Sequence, residues 1–132
     1  MRITPDTNVL VRAVVQDDAK QAQAAAKVLK EADVIAISLP ALCEFVWVLR
    51  SVYKFSLPDI SAAVQALLQA KNVSVNRPAV DAGLAMLHEG GDFADGLIAY
   101  EGAWLGGGTF VSFDKQAVSL IVAQGQKAEL LL

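Results

Sequence analysis

Short apolar segments rich in β-branched residues recur along this chain, and a longer stretch with helical spacing separates each from the next. The segments lie at roughly Arg2–Pro5, Val34–Ile37, Val73–Val75 and Thr109–Ser112. Residues 17–31 are Ala, Gln and Lys for the most part, good helix formers with little β-branching. Leu42, Phe45, Val46, Leu49 and Val52 repeat with the i, i+3, i+4 spacing of a buried helical face, behind Ser38 and Pro40 as start signals. A further helix is expected after Ser56-Leu57-Pro58-Asp59, and two more over Pro78–Glu89 and Phe93–Leu105. Gly106-Gly107-Gly108 supplies the positive φ that stops the last of these. Asp114 opens a helix through Val122, and Ala128–Leu131 adds a closing strand. Strands alternating with helices predict an α/β protein: a parallel sheet of four or five strands, covered by helices on both faces in three layers. The chain is expected to form a single domain over residues 1–132. In sheets of this kind ligands collect at the carboxyl ends of the strands.

Composition narrows what such a fold does. The 132 residues suffice for one core without disulfides or a structural metal. With 55% hydrophobic and 19% charged residues, and a mean hydropathy of +0.43, the chain is apolar for a soluble monomer. Either the core is very full or apolar surface is reserved for another chain, which points to a homodimer, with Trp47 and Trp104 as interface candidates. Membrane insertion is not expected, because no stretch approaches the roughly 18–20 apolar residues that a span requires. The best candidate, Leu39–Leu49, contains Pro40 and Glu44. No segment after Met1 resembles a signal peptide, and Cys43 has no second cysteine to pair with, so a cytoplasmic location is expected. The net charge is −3, whereas proteins that grip nucleic acid by charge alone are usually basic. Any such role needs local cations or metal ions.

Several carboxylates occupy chemically telling positions. Asp6 follows the first strand, Asp114 follows the strand at Thr109–Ser112, and Asp92 and Asp95 open the helix before that strand. Each has a plain structural role available: Asp6, Asp92 and Asp114 as N-caps, and Asp95 closing a capping-box-like pair with Asp92. Glu44 stands alone in an apolar helix, where a buried charge demands a partner or a metal; Arg12 and Arg50 are available partners. Taken jointly, carboxylates gathered at one strand edge repel unless a cation neutralises them. Oxygen ligands without a His/Cys cluster suit Mg²⁺ or Mn²⁺. Zinc is disfavoured, since His88 and Cys43 are isolated and His88 reads as a surface residue. Metal-held carboxylates suit phosphate chemistry, and the glycine triplet lacks the Lys-Ser/Thr of a P-loop.

The series Asp6-Thr7-Asn8-Val9-Leu10, Glu44, Asp92-Phe93-Ala94-Asp95-Gly96-Leu97-Ile98-Ala99 and Ser112-Phe113-Asp114 resembles a PIN domain, and more narrowly the VapC-type toxins of bacteria and archaea. Asp-Thr-Asn alone is a weak signal; the four parts in order, spanning essentially the whole chain, are a strong one. The resemblance implies a Mg²⁺- or Mn²⁺-dependent endoribonuclease acting on RNA, a homodimer, and inhibition by a cognate antitoxin. It assigns Asp6, Glu44, Asp95 and Asp114 to the catalytic and metal-binding pocket, Asp92 to an auxiliary acid, and Thr7 and Asn8 to a polar wall. Ser112 stands where Thr is common, a mild departure. Gly96 stands where Ala is frequent, and at about 0.5–1 kcal/mol relative to Ala it is expected to loosen the helix that carries Asp95. Arg12, Arg50, Lys54 and Lys115 are the RNA-binding candidates, against the plainer role of ordinary surface cations.

Two other functions compete. One is a non-catalytic PIN-like binding module whose acids serve caps and salt bridges. The other is phosphoryl transfer through an aspartyl phosphate, but Asp6-Thr7-Asn8 lacks a second aspartate two residues on, and Val73-Ser74-Val75-Asn76 offers no phosphoacceptor.

Overall fold

A computed structural model describes residues 1–132. They sort into two compact units, Met1–Val75 and Asn76–Leu132.

In the first unit, β1 (Arg2–Ile3), β2 (Val34–Ala36) and β3 (Val73–Ser74) pair side by side in that order, both pairs parallel. Parallel neighbours require a crossover. Helices α1 (Thr7–Val14) and α2 (Ala19–Glu31) connect β1 to β2, and α3 (Leu39–Ser51) and α4 (Leu57–Gln69) connect β2 to β3. The second unit holds α5 (Arg77–His88), α6 (Phe93–Trp104), β4 (Thr109–Ser112), α7 (Lys115–Ala123) and β5 (Lys127–Leu130), with β4 and β5 parallel. The chain is thus α/β as expected, with five strands, every pairing parallel. Their hydrogen bonds form one group of three strands and one of two.

Element ends follow the capping chemistry. All seven helices are opened by Asp, Ser or Asn, whose side chain accepts a backbone N–H from the first turn. This explains small shifts from the expected bounds. Helix α2 starts at Ala19 rather than near residue 17, because Asp18 is its cap and accepts from Gln21 N–H at 3.1 Å. Strand β1 stops at Ile3, ahead of Pro5, which has no N–H to give to a ladder.

Most of the apolar face expected for α3 is present: Leu42, Phe45, Val46 and Leu49 are buried, along with Leu10, Ile60 and Val64 in the same unit, whereas Val52, also expected on that face, is the C-cap and is exposed. In the second unit Met86, Ala99 and Ile121 form a buried cluster, with Phe110, Leu120 and Ala128 packed against it. Two further expectations are corrected. Glu44 is exposed rather than buried, because α3 turns it away from its apolar stripe. The inference from a costly buried charge therefore does not apply to it. Gly96 is a tight contact rather than a loose point. A Cβ there would lie 2.4 Å from the Ala82 carbonyl oxygen and 2.8 Å from Gly83 Cα. Only glycine allows α6 to approach the backbone of α5 so closely.

Candidate functional site

Both units carry acids at helix starts. In the first, Asp6 caps α1: its Oδ1 accepts Val9 N–H at 3.0 Å, which fixes the carboxylate and leaves Oδ2 without a backbone donor. Ser38 caps α3 through Ala41 N–H at 3.3 Å, with Pro40 preset for the first turn. The first residue of α1, Thr7, places its hydroxyl 3.2 Å from Glu44 Oε2 and 3.4 Å from the Ala41 carbonyl. A single hydroxyl proton is shared between these two acceptors, tying the start of α1 to α3 and orienting the Glu44 carboxylate. Asp6, Thr7, Asn8, Ser38 and Glu44 line an open pocket of about 510 Å³. Glu44 thus has Thr7 as a hydrogen-bond partner, while Arg12 pairs with Asp17.

In the second unit, Asp92 caps α6 by accepting Ala94 N–H at 2.9 Å. Asp114 caps α7 with Oδ1 accepting Gln116 N–H at 2.9 Å and Ala117 N–H at 3.1 Å. The Asp114 N–H donates in turn to Ser112 Oγ at 2.9 Å. Asp95, in the first turn of α6, is half-buried. Its pKa is raised above the ordinary carboxylate range, first by desolvation, then by the negative charges of Asp92 and of Asp114. A carboxylate crowded by two others is relieved by a proton or by a cation.

The cation candidates sit in different settings. Arg12 is engaged in an ion pair with Asp17, and its guanidinium lies 3.4 Å from Tyr53 Oη. Arg50, Lys54 and Lys115 are exposed; Lys54 takes a left-handed backbone (φ 58°) just past α3, and Lys115 directly follows Asp114. His88 is exposed, as expected. The sequence reading missed Tyr53 and Asp17 as partners of Arg12, and Ser112 as the brace of Asp114. Only the last had a local signal, a serine two residues before a capping aspartate.

The model of the PIN domain family matches residues 3–120, most of the chain. The chain belongs to the PIN-domain family. No curated relative matches it in sequence. PIN domains are generally nucleases, and the α/β fold with seven helices and parallel strands is consistent with the three-layer PIN-like class. PIN-domain nucleases usually use divalent metal ions. No group of three or more Asp, Glu, His or Cys side chains is drawn together into a metal-binding cage. The donor set nevertheless fits such an ion: every candidate ligand is a hard carboxylate oxygen, and Asp95 sits in a local excess of negative charge. No helix of this PIN domain is long and apolar enough to cross a membrane.

Proposed function

We propose that this PIN domain is a Mg²⁺- or Mn²⁺-dependent endoribonuclease, the toxin of a type II toxin–antitoxin module of the VapC type, working in the cytoplasm. The observation that carries the metal-dependent reading is the PIN-family match over residues 3–120 together with its all-carboxylate donor set at helix starts, where Asp95 is half-buried near the charges of Asp92 and Asp114. Asp6, Glu44, Asp95 and Asp114 are the acids assigned to metal binding and catalysis, with Asp92 as an auxiliary acid. The bound ion supplies Lewis acidity and lowers the pKa of water. The chain's own side chains position the reactants. The caps of Asp6 and Asp114 hold each carboxylate in one rotamer, and Thr7 fixes Glu44, with Asn8 beside it. Water attacks phosphorus and the P–O3′ bond breaks, so the products are a 3′-hydroxyl and a 5′-phosphate.

Incubating the purified protein with total RNA in Mn²⁺ or in EDTA, and mapping the ends, tests this reading. Activity that persists in EDTA, or a 2′,3′-cyclic phosphate product, overturns it. The toxin assignment predicts slowed growth when the chain is produced alone, and rescue by a small cognate antitoxin. A homodimer is proposed on the exposure of Trp47 (63%) and Trp104 (75%); sedimentation at micromolar concentration checks it.

One observation favours a second reading, the non-catalytic binding module: Asp6, Asp92 and Asp114 all serve as caps. Calorimetric titration with Mn²⁺ separates the two. Only the nuclease binds the ion in a manner lost on Asp95→Asn, a residue that caps nothing.

A further inference from the structure

The exposed apolar residues of the second unit are not equivalent. Trp104 lies nine residues after Asp95, about 14 Å along the axis of α6, and its indole N–H already donates to Tyr100 Oη at 2.8 Å. Phe113 stands next to Asp114 in the chain and is 76% exposed. The outward alternation of β4, at Thr109 and Val111, carries on to it.

The backbone on both sides of Phe113 is pinned. The Ser112 carbonyl accepts Leu131 N–H at 2.8 Å, Ser112 Oγ accepts Asp114 N–H at 2.9 Å, and the Asp114 carboxylate accepts two N–H groups of α7. A flat ring is thus presented to solvent on a fixed base, next in the chain to the capping Asp114 carboxylate. An aromatic ring has only two side-chain torsions to order, so little entropy is lost when a planar partner covers it.

We propose that Phe113 is a stacking platform for an unpaired nucleobase, which sets the neighbouring phosphate of single-stranded RNA against the acids of this unit. The inference rests on the nuclease reading above. The ring selects an unpaired base, because a base held in a duplex has no free face to offer. Planarity rather than apolarity is the property required.

Steady-state cleavage of a labelled single-stranded oligoribonucleotide of mixed sequence, in Mn²⁺, tests it. Phe113→Ala and Phe113→Leu are expected to raise KM about 5- to 150-fold, the range for losing one stacked base, with the effect falling on KM more than on kcat. Phe113→Trp restores the wild-type KM. A Phe113→Leu variant that matches wild type, or a Phe113→Ala variant with unchanged KM, overturns the stacking role and leaves the nuclease standing. Loss of a wild-type dimer in sedimentation of Phe113→Ala, with KM unchanged, assigns the ring to a protein interface and overturns the proposal. A wild-type protein that cleaves no RNA overturns both readings at once.

Discussion

Two charged clusters in this chain are built on opposite plans. In the first unit Arg12, Asp17 and Tyr53 form a charge-compensated set: Arg12 pairs with Asp17 Oδ1, and Tyr53 Oη donates to Asp17 Oδ2 at 3.1 Å. Each charge there has its counterpart. The hydrogen bonds from Arg12 and Tyr53, with the Arg12 charge, carry the Asp17 pKa below its ordinary value against desolvation, while the Arg12 pKa is raised by its hydrogen bond to Asp17. In the second unit the Asp95 pKa moves upward, first through desolvation and then through the like charges of Asp92 and Asp114. Compensated charge holds elements together; uncompensated charge leaves a local potential that a proton or a cation relieves.

The sharpest way to break this contrast is to remove the crowded charge. Asp95→Asn is expected to lower cleavage by more than about a hundredfold, beyond what loss of a supporting group costs, while the metal-free protein melts no lower than wild type. Asp92→Asn keeps a capping side chain and costs activity only modestly. If the two results are exchanged, with both variants folded, the roles of these neighbouring acids are reversed.

The position of that cluster depends on backbone contact. Gly96→Ala drives a methyl group into the Ala82 carbonyl and the Gly83 backbone. It should destabilise by about 1–3 kcal/mol, as overpacking does, and displace the helix that carries Asp92 and Asp95, so activity falls as well. A control lies on the same helix. Gly102 has nothing within 4 Å of a built Cβ, so Gly102→Ala should gain up to about 1 kcal/mol through helix propensity. Urea midpoints of the two variants should move in opposite directions.

Asp95, Gly96 and Glu44 show how much was legible in the sequence. Helix positions and caps could be read because they depend on local chemistry: Ser38 with Pro40, Ser56 with Pro58, Asp114 after a strand. Asp95's place in the first turn after Asp92 was legible for the same reason. The need for glycine at residue 96 was not, since it arises from Ala82 and Gly83 on another helix, and sequence alone offered only the intrinsic cost of glycine. Exposure of Glu44 was equally hidden. An apolar helix has an outer face, and spacing did not reveal that Glu44 falls on it beside Thr7, 37 residues away in sequence.

Thr7 offers a smaller test, on the acid pair of the first unit. Thr7→Val keeps the shape and removes the hydroxyl donated towards Glu44 and Ala41. Loss of a group that orients a ligand costs about 10- to 100-fold in metal affinity or activity, and an exposed hydrogen bond places this case at the lower end. Thr7→Ser should restore most of it. An inert Thr7→Val would mean that Glu44 needs no brace from Thr7.

The smallest expected effect is one of sign. Asp17 has a folded pKa below its unfolded value, so its contribution to stability is present above the unfolded value and is lost as pH falls through the folded one. Asp95 has a folded pKa above its unfolded value. Its ionisation carries no penalty at low pH, and the penalty grows as pH rises from the unfolded value through the folded one. At neutral pH without metal, Asp17→Asn should therefore lower the urea midpoint, whereas Asp95→Asn should leave it unchanged or raise it. Below both pKa values the two differences should shrink towards zero, because each aspartate is then as uncharged as its replacement. Both residues are partly exposed, so salt should also reduce the differences. Parallel slopes for the two variants across this range would remove the contrast, and the crowding of Asp95 would then be too well screened to favour a bound cation.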